Sequence, residues 1–106
     1  YPQGWPLFAE GEKYEGQPVL FTEFGGRAMQ ADAKGGAWGY SGAAANEEEF
    51  LKQLESIMQG VRTCNFQGYC YTQLTDVQQE VNGLLTAERK PKADIQKLKA
   101  IFDESR

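Results

Sequence analysis

An α/β chain of alternating strand and helix is what the sequence predicts, and three features predict it. A short apolar run, Pro18 to Phe24, stops at a carboxylate and two glycines, Thr22-Glu23-Phe24-Gly25-Gly26. An amphipathic segment opens at Asn46 and repeats its apolar residues at helical spacing as far as Val61. A second apolar run, Phe66 to Leu74, precedes another helical pattern that starts at Pro91. Strand, helix, strand, helix is a βαβα unit, whose strands are expected to lie parallel with a right-handed crossover.

Each element follows from its own residues. Residues 1–17 mix glycine, proline and aromatic side chains without a sustained period and read as a long loop, a kind of segment that is often functional. The first strand, Pro18 to Phe24, is continuously apolar up to Thr22, as in strands buried on both faces. Residues 25–45 are rich in Gly and Ala, with Trp38 and Tyr40 among them, and lack any period; they read as an irregular excursion. Asn46 then caps a helix, Glu49 completes a capping box, and Glu47 to Glu49 complement the helix dipole. That acidic triplet is a helix start rather than a metal site. Phe50, Leu51, Leu54, Ile57, Met58 and Val61 form the apolar face, and the helix fades between Arg62 and Asn65. In the second strand, Phe66 to Leu74, Gly68 marks a close approach or a bulge. Asn82-Gly83 reads as a turn, and Pro91 opens the last helix, with Ile95, Leu98, Ile101 and Phe102 on its apolar face.

Composition narrows the chemistry. With 106 residues the chain suits one domain, and 41% hydrophobic against 25% charged residues reads as globular. There are no histidines, which removes Ser-His-Asp and Cys-His catalysis and every imidazole metal site. Two cysteines, Cys64 and Cys70, cannot build a four-thiolate zinc site, and no cofactor is implied. An extended segment between them holds them beyond disulfide reach, so both are expected to be free, partly buried thiols. A net charge of −4 argues against a nucleic-acid partner, and no apolar run approaches a membrane span.

Glu23 stands out against this background. A lone carboxylate at the carboxyl end of a buried strand has no packing reason to be there. Loops at strand C-termini are where barrel and open α/β enzymes place reactive groups. Two strands buried on both faces cannot form a sheet core alone, so the chain is expected to be part of a larger α/β structure. Its start at Tyr1 rather than Met reads as a processed or excised piece.

Three blocks carry a family resemblance. They are Val19-Leu20-Phe21-Thr22-Glu23-Phe24-Gly25-Gly26, Trp38-Gly39-Tyr40-Ser41, and Gly68-Tyr69-Cys70-Tyr71-Thr72-Gln73-Leu74-Thr75-Asp76-Val77. Together they resemble the end of the catalytic domain of glycoside hydrolase family 2, which includes β-galactosidases, β-glucuronidases and β-mannosidases. Gln79 to Thr86 and Arg89-Lys90-Pro91-Lys92 are similar to the loop leading into the final barrel helix of bacterial members. The resemblance implies the last quarter of a (β/α)8 TIM barrel, strands seven and eight with their helices, where a whole barrel needs about 250 residues.

It also implies a mechanism. Members are retaining glycosidases that use two carboxyl groups about 5–5.5 Å apart. Glu23 falls on the nucleophile position, whereas the acid/base belongs to a Glu after strand four, which this chain does not contain. Asp76 and Glu80 are expected to be solvated loop acids rather than its replacement, so the isolated chain is expected to be inactive. Related enzymes often carry Trp followed by Asp or Asn late in strand eight, where this chain has Thr72 and Gln73. The Gln73 amide is then a candidate to bond a sugar hydroxyl, and Trp38 or Trp5 to supply the missing aromatic floor. The partners implied are a carbohydrate substrate and the rest of the barrel or other copies of the chain. Two other readings are a non-catalytic carbohydrate-binding barrel that keeps Glu23 as a hydrogen-bonding residue, and a small module that oligomerises through its strand edges.

Overall fold

The computed structural model describes residues 8–29 and 41–103. Strands β1 (Leu20–Gly25), β2 (Arg27–Met29) and β3 (Ser41–Ala44) precede helix α1 (Glu47–Thr63), strand β4 (Gly68–Thr72) and helix α2 (Ile95–Asp103). The expected parallel pairing is present: β1 lies beside β4, with Leu20 opposite Gly68 and Gly25 opposite Thr72. The chain is thus an α/β unit with small parallel sheets.

Two short strands replace part of the irregular excursion expected over 25–45. Gly25 and Gly26 have φ of 100° and 65°, a left-handed step that ends β1 and redirects the chain into β2. β2 then pairs parallel with β3, Arg27 opposite Ser41 and Met29 opposite Ala44. A Gly/Ala-rich sequence with no alternation hides strands this short, because their register is set by what packs on them.

Helix α1 forms as its residues dictate. The Asn46 side chain accepts from the Glu49 backbone N–H at 2.9 Å, and Glu49 reaches back to the Ala45 N–H at 2.8 Å. Glu47 accepts from the Asp94 N–H at 2.6 Å, and Glu48 pairs with Lys52 at 3.0 Å. All three acids therefore work at helix starts. Phe50, Leu54, Met58 and Val61 are buried along one stripe, and the helix stops where Cys64 turns extended. Truncating a fully buried residue such as Leu54 to Ala costs about 2–5 kcal/mol.

Helix α2 begins later than Pro91. Asp94 is its cap, its Oδ1 accepting from Gln96 N at 2.9 Å and Lys97 N at 3.0 Å. Pro91 sits instead in an isolated bridge to Leu85. Of the expected apolar face Leu98 is buried, Ile101 and Phe102 are half-buried, and Ile95, in the first turn, is exposed. Two contacts dock the far end of α2: Arg62 of α1 donates to the Ile101 carbonyl, and the Tyr69 hydroxyl donates to that of Phe102 at 3.3 Å. They occupy carbonyls that a helix C-terminus leaves without an intrahelical partner.

The core lies on one side of the β1–β4 sheet. Phe21 stacks on Phe24 at 4.8 Å between ring centroids, and Tyr69 and Tyr71 meet Phe24 edge-on at 5.7 and 5.5 Å. Met58 and Val61 of α1 and Phe102 of α2 cover this aromatic layer. The other side is bare among the described residues: Leu20 is 59% exposed, and Thr22, Glu23 and Cys70 are exposed with it. Strands expected to be buried on both faces are therefore buried on one, since no layer of the described chain reaches the second. Both cysteines are free as expected but exposed rather than partly buried. Gly68 marks a close approach, as a Cβ there would lie 3.1 Å from the Leu20 side chain.

Candidate functional site

Regular strand alternation does not explain where Glu23 sits. Phe21 pairs with Tyr69 and Phe24 with Tyr71, so β1 spends two residues, Thr22 and Glu23, against the single Cys70 of β4. That is a β-bulge, a device that re-aims side chains and is frequent beside active sites. It brings Phe21 and Phe24, three residues apart, onto the same helix-covered side. It also delivers Glu23 exposed at the carboxyl end of the strand. Directly beyond it, Gly25 is required twice over: its φ is 100°, and a Cβ there would stand 2.2 Å from the Tyr71 ring.

Parallel pairing places the end of β4 at the same end of the sheet. Gly26 N donates to Thr72 O at 2.8 Å, which ties the turn after Glu23 to the last residue of β4. Gln73 follows at once, half-buried, its Nε2 donating to the Glu80 carbonyl at 3.4 Å. Glu23 and Gln73 thus lie at one end of the sheet. Trp38 and Trp5 lie outside the described residues.

The loop after β4 is not the solvated segment expected of it. Asp76 is 8% and Lys92 2% exposed in their side chains, and the two form a salt bridge at 2.6 Å. The same Asp76 oxygen accepts from Gly83 N at 2.9 Å. Held by an ammonium and a backbone donor out of water, Asp76 has no room for acid/base work on a ligand. Glu80 is half-buried and accepts from Asn82 Nδ2 at 3.1 Å, so it is not a solvated acid either.

Asn82-Gly83, expected to be a turn, is buried in the loop's centre. Asn82 is fully buried, its Oδ1 meeting no donor among the described residues, and a Cβ on Gly83 would fall 2.4 Å from the Thr75 carbonyl carbon. The turn itself is made by Gln78 and Gln79, closed by reciprocal bonds between Val77 and Glu80 at 3.0 and 2.9 Å.

One further buried polar group lies on the helix side. Burial pushes the Tyr71 hydroxyl up to about 12, while the Arg27 backbone and guanidinium pull weakly the other way. Among the described residues, the Tyr71 hydroxyl and Arg27 Nε meet no hydrogen-bond partner. The Tyr71 ring packs against Phe24 and Phe102 and belongs to the core.

Two features of the site were not expected from the sequence, the bulge and the buried ion pair. The bulge had no signal in the sequence, because only packing shows that Phe21 and Phe24, an odd number of residues apart, share a face. The ion pair had none, because its partners stand sixteen positions apart in a loop. Neither the models of known protein families nor the curated proteins provide a match to this chain.

Proposed function

We propose that the chain forms strands seven and eight, with their helices, of the (β/α)8 barrel of a retaining glycosidase that hydrolyses β-linked sugars. The observation that carries the reading is the bulge holding Glu23 exposed at the carboxyl end of a parallel strand. That is where barrel enzymes keep their reactive groups. Glu23 is the nucleophile: its carboxylate attacks the anomeric carbon, the bond to the leaving oxygen breaks, and water later hydrolyses the glycosyl ester. A second carboxyl group from strand four protonates the leaving oxygen and then activates that water. The exposure of Leu20, Thr22 and Cys70 on the other face of the β1–β4 sheet, among the described residues, agrees with this arrangement, because parallel sheets are covered on both faces in complete folds. Gln73 contributes a hydrogen bond to a sugar hydroxyl, and Trp38 is the candidate stacking floor.

The test is Glu23→Gln in the barrel that carries this sequence. Turnover of a p-nitrophenyl β-galactoside should fall by about 10⁴-fold while the sugar still binds, because the amide keeps the shape and loses the nucleophile. Undiminished turnover in this variant sinks the proposal. The 106-residue chain alone should bind weakly and turn over nothing.

A further inference from the structure

The residue after β4 is held by a lattice of bonds more extensive than a surface loop requires. Gln73 O accepts from Leu84 N at 3.0 Å, and Gln73 Nε2 donates to Glu80 O at 3.4 Å. A carbonyl oxygen offers only lone pairs, so the NH2 end of the Gln73 amide must be the end that faces it. The other end, Oε1, can only accept.

The Glu80 carbonyl also accepts from Val77 N at 3.0 Å, which closes the turn, and the loop carrying that turn is pinned from beneath. The next residue, Val81, has its carbonyl bonded by Lys92 Nζ at 2.9 Å. The same ammonium bonds Asp76 Oδ1 at 2.6 Å, and that oxygen also holds Gly83 N. One buried ion pair therefore clamps both sides of the 76–83 loop, and Gln73 rests on that loop. Buried ion pairs contribute little net stability compared with apolar residues of equal volume, whereas they specify geometry when each remaining lone pair and proton is used.

We propose that the Lys92–Asp76 pair is a positioning device for Gln73, locking its amide with Nε2 turned into the loop and Oε1 presented to a hydroxyl of the bound ligand. The ligand class, a polyhydroxylated sugar donating to that oxygen, rests on the glycosidase reading above; the positioning does not. On this view Lys92 and Asp76 touch no substrate and act only through Gln73.

Side-chain NMR on the full 106-residue chain tests the positioning first. The Gln73 NH2 group should be ordered, in contrast to those of Gln78 and Gln79, both exposed at the turn. Equal mobility of the three overturns the proposal without any substitution. In Asp76→Asn/Lys92→Met, which removes both charges and keeps an acceptor for Gly83 N, the α1 amides should report an intact fold while Gln73 becomes as mobile as Gln78. A folded variant with Gln73 still ordered overturns it.

Kinetics in the proposed barrel supply the coupling. The double substitution should raise KM for the p-nitrophenyl β-galactoside about 10-fold with kcat nearly unchanged, and should change KM less than about 2-fold in a Gln73→Ala background. Equal effects in both backgrounds mean a structural staple and overturn the proposal. A barrel without glycosidase activity overturns the functional reading and leaves the spectroscopic result to decide this one.

Discussion

The two faces of the β1–β4 sheet differ more than any other two regions of the molecule. On the helix side, Phe21 stacks on Phe24, Tyr69 and Tyr71 meet Phe24 edge-on, and α1 and α2 cover the layer. On the opposite side stand Leu20, Thr22, Glu23 and Cys70, all exposed. One face is a core that holds the unit together, and the other is exposed among the described residues. A bulge of one residue is what separates the roles: it keeps the aromatic ladder continuous on the first face while adding a carboxylate to the second.

Substitutions on the two faces should therefore be read by different instruments. The largest effect expected is on chemistry from the open side, the roughly 10⁴-fold loss of turnover for Glu23→Gln. Next comes the covered side, where Phe24→Ala should cost about 3–5 kcal/mol in denaturant unfolding. If Phe24→Ala proves as mild as Thr22→Ala, the aromatic layer is not the core.

Gly25→Ala probes the junction between the faces. The new methyl would meet the Tyr71 ring on a backbone of φ 100°, and a loss of about 2–4 kcal/mol is expected by denaturant unfolding. A stable Gly25→Ala chain would mean that the turn after Glu23 is not held by this packing.

Tyr71 gives a pH signature belonging to the covered side alone. Its hydroxyl is pushed up to about 12 in the folded chain, against an ordinary value near 10, so the folded state favours the neutral phenol. That preference is fully present below about pH 10 and is lost as pH rises towards 12, because the unfolded chain releases the proton first. Wild type should lose about 2–3 kcal/mol more than Tyr71→Phe across that window. Parallel losses in the two proteins would remove the buried hydroxyl from the account. Smallest of all, Leu20→Ser should change the stability of the chain alone by less than about 0.5 kcal/mol, yet matter inside a barrel that covers that face. Equal effects in both settings would mean that nothing covers it.

Legibility in the sequence followed the range of the interactions. Asn46, Glu49 and the stripe from Phe50 to Val61 announce α1 because capping and amphipathic spacing act within a few residues. Pro91 misled, because a proline is tolerated at a helix start but does not compel one, and Asp94 offers the better cap. Asn82-Gly83 misled in the same way. The pair suits a turn, but here Gly83 is demanded by the Thr75 and Asp76 backbones pressing on it.

Strand, helix, strand, helix, the parallel order and a carboxylate at a strand end were all readable from the residues alone, since each rests on local periodicity, capping or chain connectivity. Which side of the sheet Glu23 joins, and that Asp76 is buried against Lys92 instead of standing in solvent, were decided only when distant segments packed. The reason is physical: a bulge is defined by the partner strand it mismatches, and an ion pair by the burial of both its members. Neither exists until the chain closes on itself.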